Sequence, residues 1–417
     1  MRLLNKLLRR LPPNWRAKMK ELAEGPGIET SVLRPYAHMH QASTIPRLNL
    51  VVPSLAAKTA FGGIQTGLLF FSHLANVLSA EAKIDCRVIV EQFFDENEGV
   101  LIQTRRETNN KIEILDLTKS NWTIATRDTD IFILFNWWTS YNIESVLSQQ
   151  GKFEKFQRLP KIHLAQEFEP AFYPMSSAHQ IATEVFSISC RPIWIICNTK
   201  MLADHFQRLA LTGSKILSFE PRLHPALLRR LNGLGRIPEK KRQILVYGRP
   251  SIKRNCFSLL VKGLEFWSRH SAHTESWRII SAGTKHRDIQ LSQNCKIESL
   301  GKLSIQDYGT LLHESAIGIS LMASPHPSYP PLEMAHFGIM TITNRYLDKD
   351  ISRLHGNISS ATDTRPETIA MLLDDLIVRF EQDPTIGQKG QTNMPDFLSE
   401  KEFECIGVLA RSLTNLL

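Results

Sequence analysis

Cysteine is scarce in this chain: six among 417 residues, with no two at the short spacings that hold a metal or a redox disulfide. The scatter of Cys86, Cys190, Cys197, Cys256, Cys295 and Cys405 points to free thiols in a reducing, cytoplasmic setting. No apolar run reaches the roughly 18 residues that a membrane-spanning helix needs. G-x-G-x-x-G is missing, so a dinucleotide fingerprint is not met. Internal repeats and low-complexity tracts are missing too, which sets aside solenoids and biased tails. Zinc modules, helix-turn-helix patterns and RNA-recognition signatures are lacking, so nucleic acid is not the expected partner despite a net charge of +9. No His, Cys, Asp and Glu cluster has metal-ligand spacing, so no metal or other cofactor is expected.

What is there is a globular composition, 42% hydrophobic and 22% charged. A chain of 417 residues suggests two domains, each with a sizeable core. The positive balance suits an anionic partner, either a phosphorylated substrate or an anionic membrane surface. Residues 1–20 are basic and leucine-rich. Leu3, Leu4, Leu7, Leu8 and Leu11 share one helical face, and Arg2, Lys6, Arg9 and Arg10 crowd the other. Charge breaks the run too often for a signal peptide. It fits a surface helix packed on its own chain and, as a second reading, an interfacial helix at the inner face of a membrane. Residues 1–45 are therefore read as a basic helical segment.

Residues 47–53 form a continuous apolar strand. A polar loop, Gly62, Gly63 and an apolar helix over 64–78 follow. The two glycines either let backbone approach a ligand or only make the turn. Strand-like runs recur at 86–90, 112–115, 131–135, 162–165, 193–197 and 216–219, which predicts βαβ units and a parallel sheet. Residues 221–241, with Gly233, Gly235 and Pro238, have the composition of a linker. A second α/β unit follows, with strands at 244–247, 277–282, 296–300, 316–321 and 339–343. Its helices are expected at 256–269, 304–313, 332–337 and 367–381. The expected domains are 46–230 and 231–396, followed by a helix over 397–417.

Ligands of parallel sheets bind outside the carboxyl ends of the strands, so candidate residues are sought there. Asp128 and Asp130 form a D-x-D string, which holds a divalent metal in some nucleotide-sugar enzymes. Here it precedes a strand, at the edge where no site is expected. Trp137 and Trp138 stand at the far end of that strand. Aromatic faces suit the C–H faces of a sugar ring, and the expectation is one indole in the core and one in the cleft. Gln166, Glu167 and Glu169 follow the strand at 162–165. Clustered carboxylates there serve acid–base work or bind hydroxyls, and the same string fits a plain charged loop. Arg249 and Lys302 each follow a strand of the second unit. Two cations in one crevice suit a pyrophosphate, while charge alone fits surface residues equally. Ser328, Tyr329, Pro330 and Pro331 lead into a helix whose N-terminus favours an anion. The prolines remove two donors, which leaves the anion to other amides, to Ser328 and Tyr329, and to distant cations. Glu333, in the first turn, either accepts hydrogen bonds from a ribose or only complements the helix dipole.

The string SLMASPHPSYPPLEMAHFG, residues 320–338, is similar to the signature of the retaining, GT4-type rhamnosyltransferases that build bacterial surface glycans, those of S-layers in particular. FNWWTSY (135–141), AQEFEP (165–170), LVYGRPSIKRN (245–255) and LGKLSIQDYGTLL (300–312) resemble segments of the same family. The resemblance covers the chain apart from roughly its first forty residues. It implies an α/β, GT-B architecture of two Rossmann-like parallel-sheet domains facing across a cleft. The first would bind a glycan acceptor, possible forms being lipid-linked polysaccharide, O-antigen or S-layer glycan. The second would bind a nucleotide-sugar donor, dTDP-β-L-rhamnose. The resemblance gives Arg249 and Lys302 the donor diphosphate, Tyr329 the nucleotide site, Ser328 the phosphates and Glu333 the sugar of the nucleoside. Tyr247, Gly248 and Asn255 fall on the donor side. Gly62, Gly63, Trp137, Trp138, Gln166, Glu167 and Glu169 fall in the acceptor region or cleft. Glu333 corresponds to the second glutamate of the family's E-x7-E pattern, and Pro325 replaces the first, so the hexose contacts stay unassigned. No covalent nucleophile is required; Glu167 and Glu169 are the candidates if there is one. A nucleotide-sugar epimerase and a non-catalytic nucleotide-sugar-binding protein remain alternatives on the same fold.

Overall fold

The structure, a computed structural model, describes residues 32–55, 62–93, 111–150, 158–209, 214–233 and 239–417. The basic run at 1–20 lies outside the described residues. Central strands buried on both faces need continuous apolar strings rather than alternation. The strings around 48–52, 131–134 and 162–165 meet that condition and are buried throughout.

The first domain runs β1 (Ala37–His40), β2 (Arg47–Ser54), α1 (Gly62–Glu81), β3 (Asp85–Phe93), β4 (Ile112–Asp116), β5 (Thr123–Thr126), β6 (Asp130–Leu134), α2 (Trp137–Asn142), α3 (Glu144–Gln150), β7 (Lys161–Ala165), α4 (Ser177–Glu184), β8 (Ile193–Asn198), α5 (Lys200–Arg208) and β9 (Ser214–Phe219). Seven strands form one parallel sheet in the order β4-β3-β2-β6-β7-β8-β9. α1 lies close on this sheet because Gly67 carries no Cβ; one there would stand 2.9 Å from the Phe135 ring. The helical reading of 1–45 fails in its described part. Residues 37–40 are instead β1, parallel to β5, and they are exposed at every position, so no helical face is there to bury.

The second domain runs α6 (Pro225–Asn232), β10 (Lys241–Gly248), α7 (Phe257–His270), β11 (Arg278–Gly283), β12 (Ile289–Ser292), β13 (Cys295–Gly301), α8 (Ile305–Glu314), β14 (Ser315–Ile319), α9 (Tyr329–His336), β15 (Met340–Asn344), β16 (Ile358–Ala361) and α10 (Pro366–Gln382); α11 (Ile406–Thr414) follows. Its sheet has the order β12-β13-β11-β10-β14-β15-β16, parallel except for β12. In each sheet the chain builds outward on one side and then returns to the other. The switch points lie between β2 and β6 and between β10 and β14. A crevice opens at such a point on the carboxyl edge.

Two boundaries differ from the sequence expectation. Leu223, Leu227 and Leu228 are buried with Leu245, Leu311 and Leu312, so α6 belongs to the second core and the crossing falls at 220–224. The closing helix spans Ile406–Thr414 rather than 397–417, because Pro395 opens a separate 3-10 turn. Its Ile406, Leu409, Ala410 and Leu413 pack into the first core with Leu74 and Leu78 of α1. The chain therefore crosses back to the domain it began in.

The amino edge of the first sheet holds a buried charge cluster. Arg47 donates to Asp130 through Nε at 2.8 Å and Nη2 at 2.9 Å, and Asn49 adds a third bond at 3.1 Å. Arg87 binds Asn49 at 2.7 Å, and burial pushes its guanidinium down to about 10. Asp130 is thus committed to the fold, at the edge away from the crevice. Asp130→Ala leaves two buried guanidinium groups without their anion. The expected loss is about 3–5 kcal/mol in equilibrium denaturation, and a loss under about 1 kcal/mol would contradict this role.

Candidate active site

The crevice of the second sheet is built where β10 ends. A Cβ on Gly248 would stand 1.8 Å from Ser281 Oγ, so only glycine fits. Gly283, opposite it on β11, has φ +146° and lies against the Gly248 carbonyl. Arg249 leaves this close-packed corner half-buried, with Nη1 3.4 Å from the Tyr247 hydroxyl. Lys302 leaves β13 just after Gly301, whose φ is +78°, and is exposed. β13 and β10 flank β11, so the two cations stand on one edge about 10 Å apart along the sheet. Both have side chains long enough to reach the space over β11.

α9 borders the same crevice. It begins at Tyr329, earlier than the expected 332, because Pro330 and Pro331 fit the first turn, where N–H groups have no helical partner. Ser328 turns the chain into it with φ +72° and donates its N–H to His326 Nδ1 at 2.9 Å. Glu333 is half-buried one turn in, and Tyr308 of α8 donates to its Oε2 at 2.9 Å. Burial pushes the Glu333 carboxyl up to about 7, against the hydrogen bond from Tyr308. The Tyr308 phenol is itself pushed up by burial and by the Glu333 charge. Tyr308 falls within the helix expected at 304–313 but was not singled out there; the structure makes it the residue that orients Glu333.

Contacts between the domains join this crevice to the carboxyl edge of the first sheet. Asn198, at the end of β8, donates to the Tyr329 hydroxyl at 2.9 Å and to Gln166 Oε1 at 2.8 Å. Thr66 of α1 lies 3.5 Å from the same hydroxyl. Tyr329 is therefore a cross-domain tie. Glu167 is buried; its Oε1 accepts from the Ser324 hydroxyl of the second domain and from the Phe168 N–H at 3.0 Å. Arg254 Nε lies 3.8 Å from Glu167 Oε2, and its guanidinium covers the Phe172 ring at 4.2 Å. Burial raises the Glu167 carboxyl and lowers the Arg254 guanidinium. Arg254 lies in the string 245–255 that resembles the family but was not singled out in the sequence. Arg208 and Asp348 add an ion pair further along the seam.

Three expectations change. Trp137 is fully buried among Ala165, Val185 and Phe206 and does not reach the cleft. Trp138 is the half-buried indole, and its N–H is spent on Glu91 Oε2 at 2.8 Å. Glu169 accepts from Asn136 Nδ2 at 2.9 Å and from the Trp137 N–H at 2.5 Å, so it anchors the start of α2. Burial pushes it up to about 7, and it is 4% exposed with both oxygens hydrogen-bonded to the start of α2. Asn255 is buried beneath Met322, with Nδ2 3.9 Å from Sδ. Gly62 and Gly63 open α1, after a loop that lies outside the described residues. The D-x-D string stays at the amino edge, with Asp128 3.3 Å from His40. Among the described residues, no group of three or more His, Cys, Asp or Glu side chains is placed to share a metal ion. No described helix is long and apolar enough to cross a membrane.

Comparison with known proteins agrees with this fold. The O-antigen biosynthesis protein RfbC of Myxococcus xanthus is 25% identical over 217 residues, 52% of this chain. The chain spans 16% of that relative's length. Among solved structures, the apo form of OtsA superposes with a TM-score of 0.56 at 10% identity, over 89% of this chain and 99% of the other. Sucrose-phosphate synthase from Thermosynechococcus elongatus gives 0.53 at 10% identity, over 89% and 100%. These likenesses establish the fold. Residues 47–200 match the WsaF N-terminal domain and residues 242–374 the WsaF C-terminal domain. The chain belongs to the WsaF family and has the GT-B glycosyltransferase fold.

Proposed function

We propose that the protein is a retaining glycosyltransferase that moves L-rhamnose from dTDP-β-L-rhamnose to a growing bacterial surface glycan. The observation that carries the reading is the placement of Arg249 and Lys302 on one sheet edge, beside the Glu333–Tyr308 pair. Membership of the WsaF family and the name of the O-antigen relative support the glycan.

The chemistry follows from charge. Glycosyl transfer leaves a cation-like sugar carbon, and the departing diphosphate gains negative charge. Fixed cations aimed at that charge lower the barrier because they need no reorganisation as it develops. Arg249 and Lys302 supply them without a metal. Glu333, oriented by Tyr308, accepts the hydroxyl hydrogens of the nucleoside sugar. Retention proceeds on one face: the C1–O bond to phosphate breaks, the acceptor oxygen bonds to C1, and a departing phosphate oxygen takes the acceptor proton. This one-face route needs no covalent nucleophile, and Glu167 keeps its hydrogen bonds from Ser324 and the Phe168 N–H. The first domain takes the acceptor, a lipid-linked glycan presented at the cytoplasmic face of the inner membrane.

Arg249→Ala and Lys302→Ala are each expected to lower kcat by about 10²–10³ with thermal unfolding unchanged. Full transfer activity in both variants would rule out the leaving-group role. Glu333 adds a pH dependence. Its carboxyl, raised from 4.5 to about 7, is neutral below that pH and ionised above it. Affinity for a nucleotide sugar, whose diester-like phosphates do not titrate in this range, should rise from pH 6 to pH 8 and become flat in Glu333→Gln; calorimetry reads both. In the unliganded protein the same shift works against the fold. From about 4.5 to about 7 the folded chain keeps a proton that the unfolded chain has released, so stability falls as pH rises.

A further inference from the structure

Buried polar atoms without partners are costly, and native folds keep few of them. Three belong to one ring of linked residues across the domain seam. Asn198 joins Gln166 to the Tyr329 hydroxyl. Tyr329 stacks on His326, with ring centroids 6.0 Å apart. The His326 backbone N–H donates to Ser324 Oγ at 3.0 Å, and the Ser324 hydroxyl donates to Glu167, the neighbour of Gln166. Around this closed ring, Gln166 Nε2, Asn198 Oδ1 and His326 Nε2 are buried and have no hydrogen-bond partner among the described residues. Asn198 is 0% exposed and His326 4%.

The protonation of His326 follows from its contacts. Nδ1 accepts the Ser328 N–H, so the proton sits on Nε2 and that atom is a fixed donor. Burial, with Lys349 and Arg254 nearby, pushes the imidazole down to about 3, so it stays neutral. The ring thus offers two donors, Gln166 Nε2 and His326 Nε2, and one acceptor, Asn198 Oδ1. A neutral imidazole is a poor match for an anion. Hydroxyl groups both give and accept hydrogen bonds and match such a mixed set.

We infer that Gln166, Asn198 and His326 form a sugar subsite, shared by both domains, that reads the ring hydroxyls of the donor's hexose. The inference rests on the proposed nucleotide-sugar reading. It makes sugar recognition depend on both domains, whereas the nucleotide is held by the second alone.

The test compares dTDP with dTDP-β-L-rhamnose by calorimetry on the full chain. Gln166→Met keeps the shape and removes the donor. His326→Asn keeps an acceptor near the Nδ1 position, and His326→Gln keeps a donor near the Nε2 position. Gln166→Met and His326→Asn should each weaken dTDP-β-L-rhamnose about tenfold, the worth of one hydrogen bond, while dTDP stays within about twofold. His326→Gln should recover most of the loss. Equal weakening of both ligands would overturn the inference, since the ring would then only shape the loop. Unchanged affinity for the sugar nucleotide in both variants would also overturn it, and would leave the three atoms to water. A wild-type chain that binds neither ligand would overturn the nucleotide-sugar reading, and this inference with it.

Discussion

The hydrogen bond from Asn198 to the Tyr329 hydroxyl joins the two halves of the crevice. Asn198 ends a strand of the first domain, and Tyr329 begins a helix of the second. Tyr329 can begin that helix because Ser328 adopts a left-handed backbone and the two following prolines need no N–H partner. From that start, Glu333 falls one turn along, within reach of Tyr308. The same turn places His326 and Ser324 against the carboxyl edge of the first sheet. Moving the helix start by one residue would rotate Glu333 by about 100° and detach Tyr329 from the seam.

The seam is polar where it closes. Each net hydrogen bond there is worth about 0.5–1.5 kcal/mol, and the contact of Arg254 with Phe172 adds about 0.5–1 kcal/mol. These are modest terms beside the apolar packing that binds α11 into the first core. The described side-chain contacts that join the two domains are thus mainly polar and individually modest. Weak polar joints of this kind suit an enzyme that must admit a substrate and then exclude water. Strongly held charge, Arg47 and Arg87 around Asp130, is kept at the opposite edge of the sheet, away from the crevice.

The legible part of the fold was the part dictated locally. Strands buried on both faces, such as residues 131–134 and 162–165, cannot hide their apolar continuity, and the order of strands and helices followed from it. The strand-end positions of Arg249 and Lys302 were legible because strand ends can be located in one dimension, whereas Glu333 was expected in a first turn and the helix begins earlier, at Tyr329, which puts it one turn further in. β1, β5, β12 and β16 were not legible, since four residues carry too little pattern to separate a strand from a loop. Neither was Tyr308, whose partner is 25 residues away on another helix, nor the tie between Asn198 and Tyr329, 131 residues apart. Trp137 and Trp138 show the limit most clearly. One indole in the core and one in the cleft were expected, but only the packing decides which is buried, and Glu91 takes the N–H of the other. Glu169 was misread for the same reason: its partners, Asn136 and the Trp137 N–H, lie more than 30 residues earlier.

The most direct measurement is thermal unfolding of the wild type and Glu333→Ala with dTDP, UDP, GDP and ADP. A ligand that binds only the folded chain stabilises it, by about 2.7 kcal/mol at a hundred times its Kd. The account predicts an upward shift selective for dTDP that disappears in Glu333→Ala. No shift with any of the four, or a shift that survives Glu333→Ala unchanged, would contradict a nucleotide site built around α9.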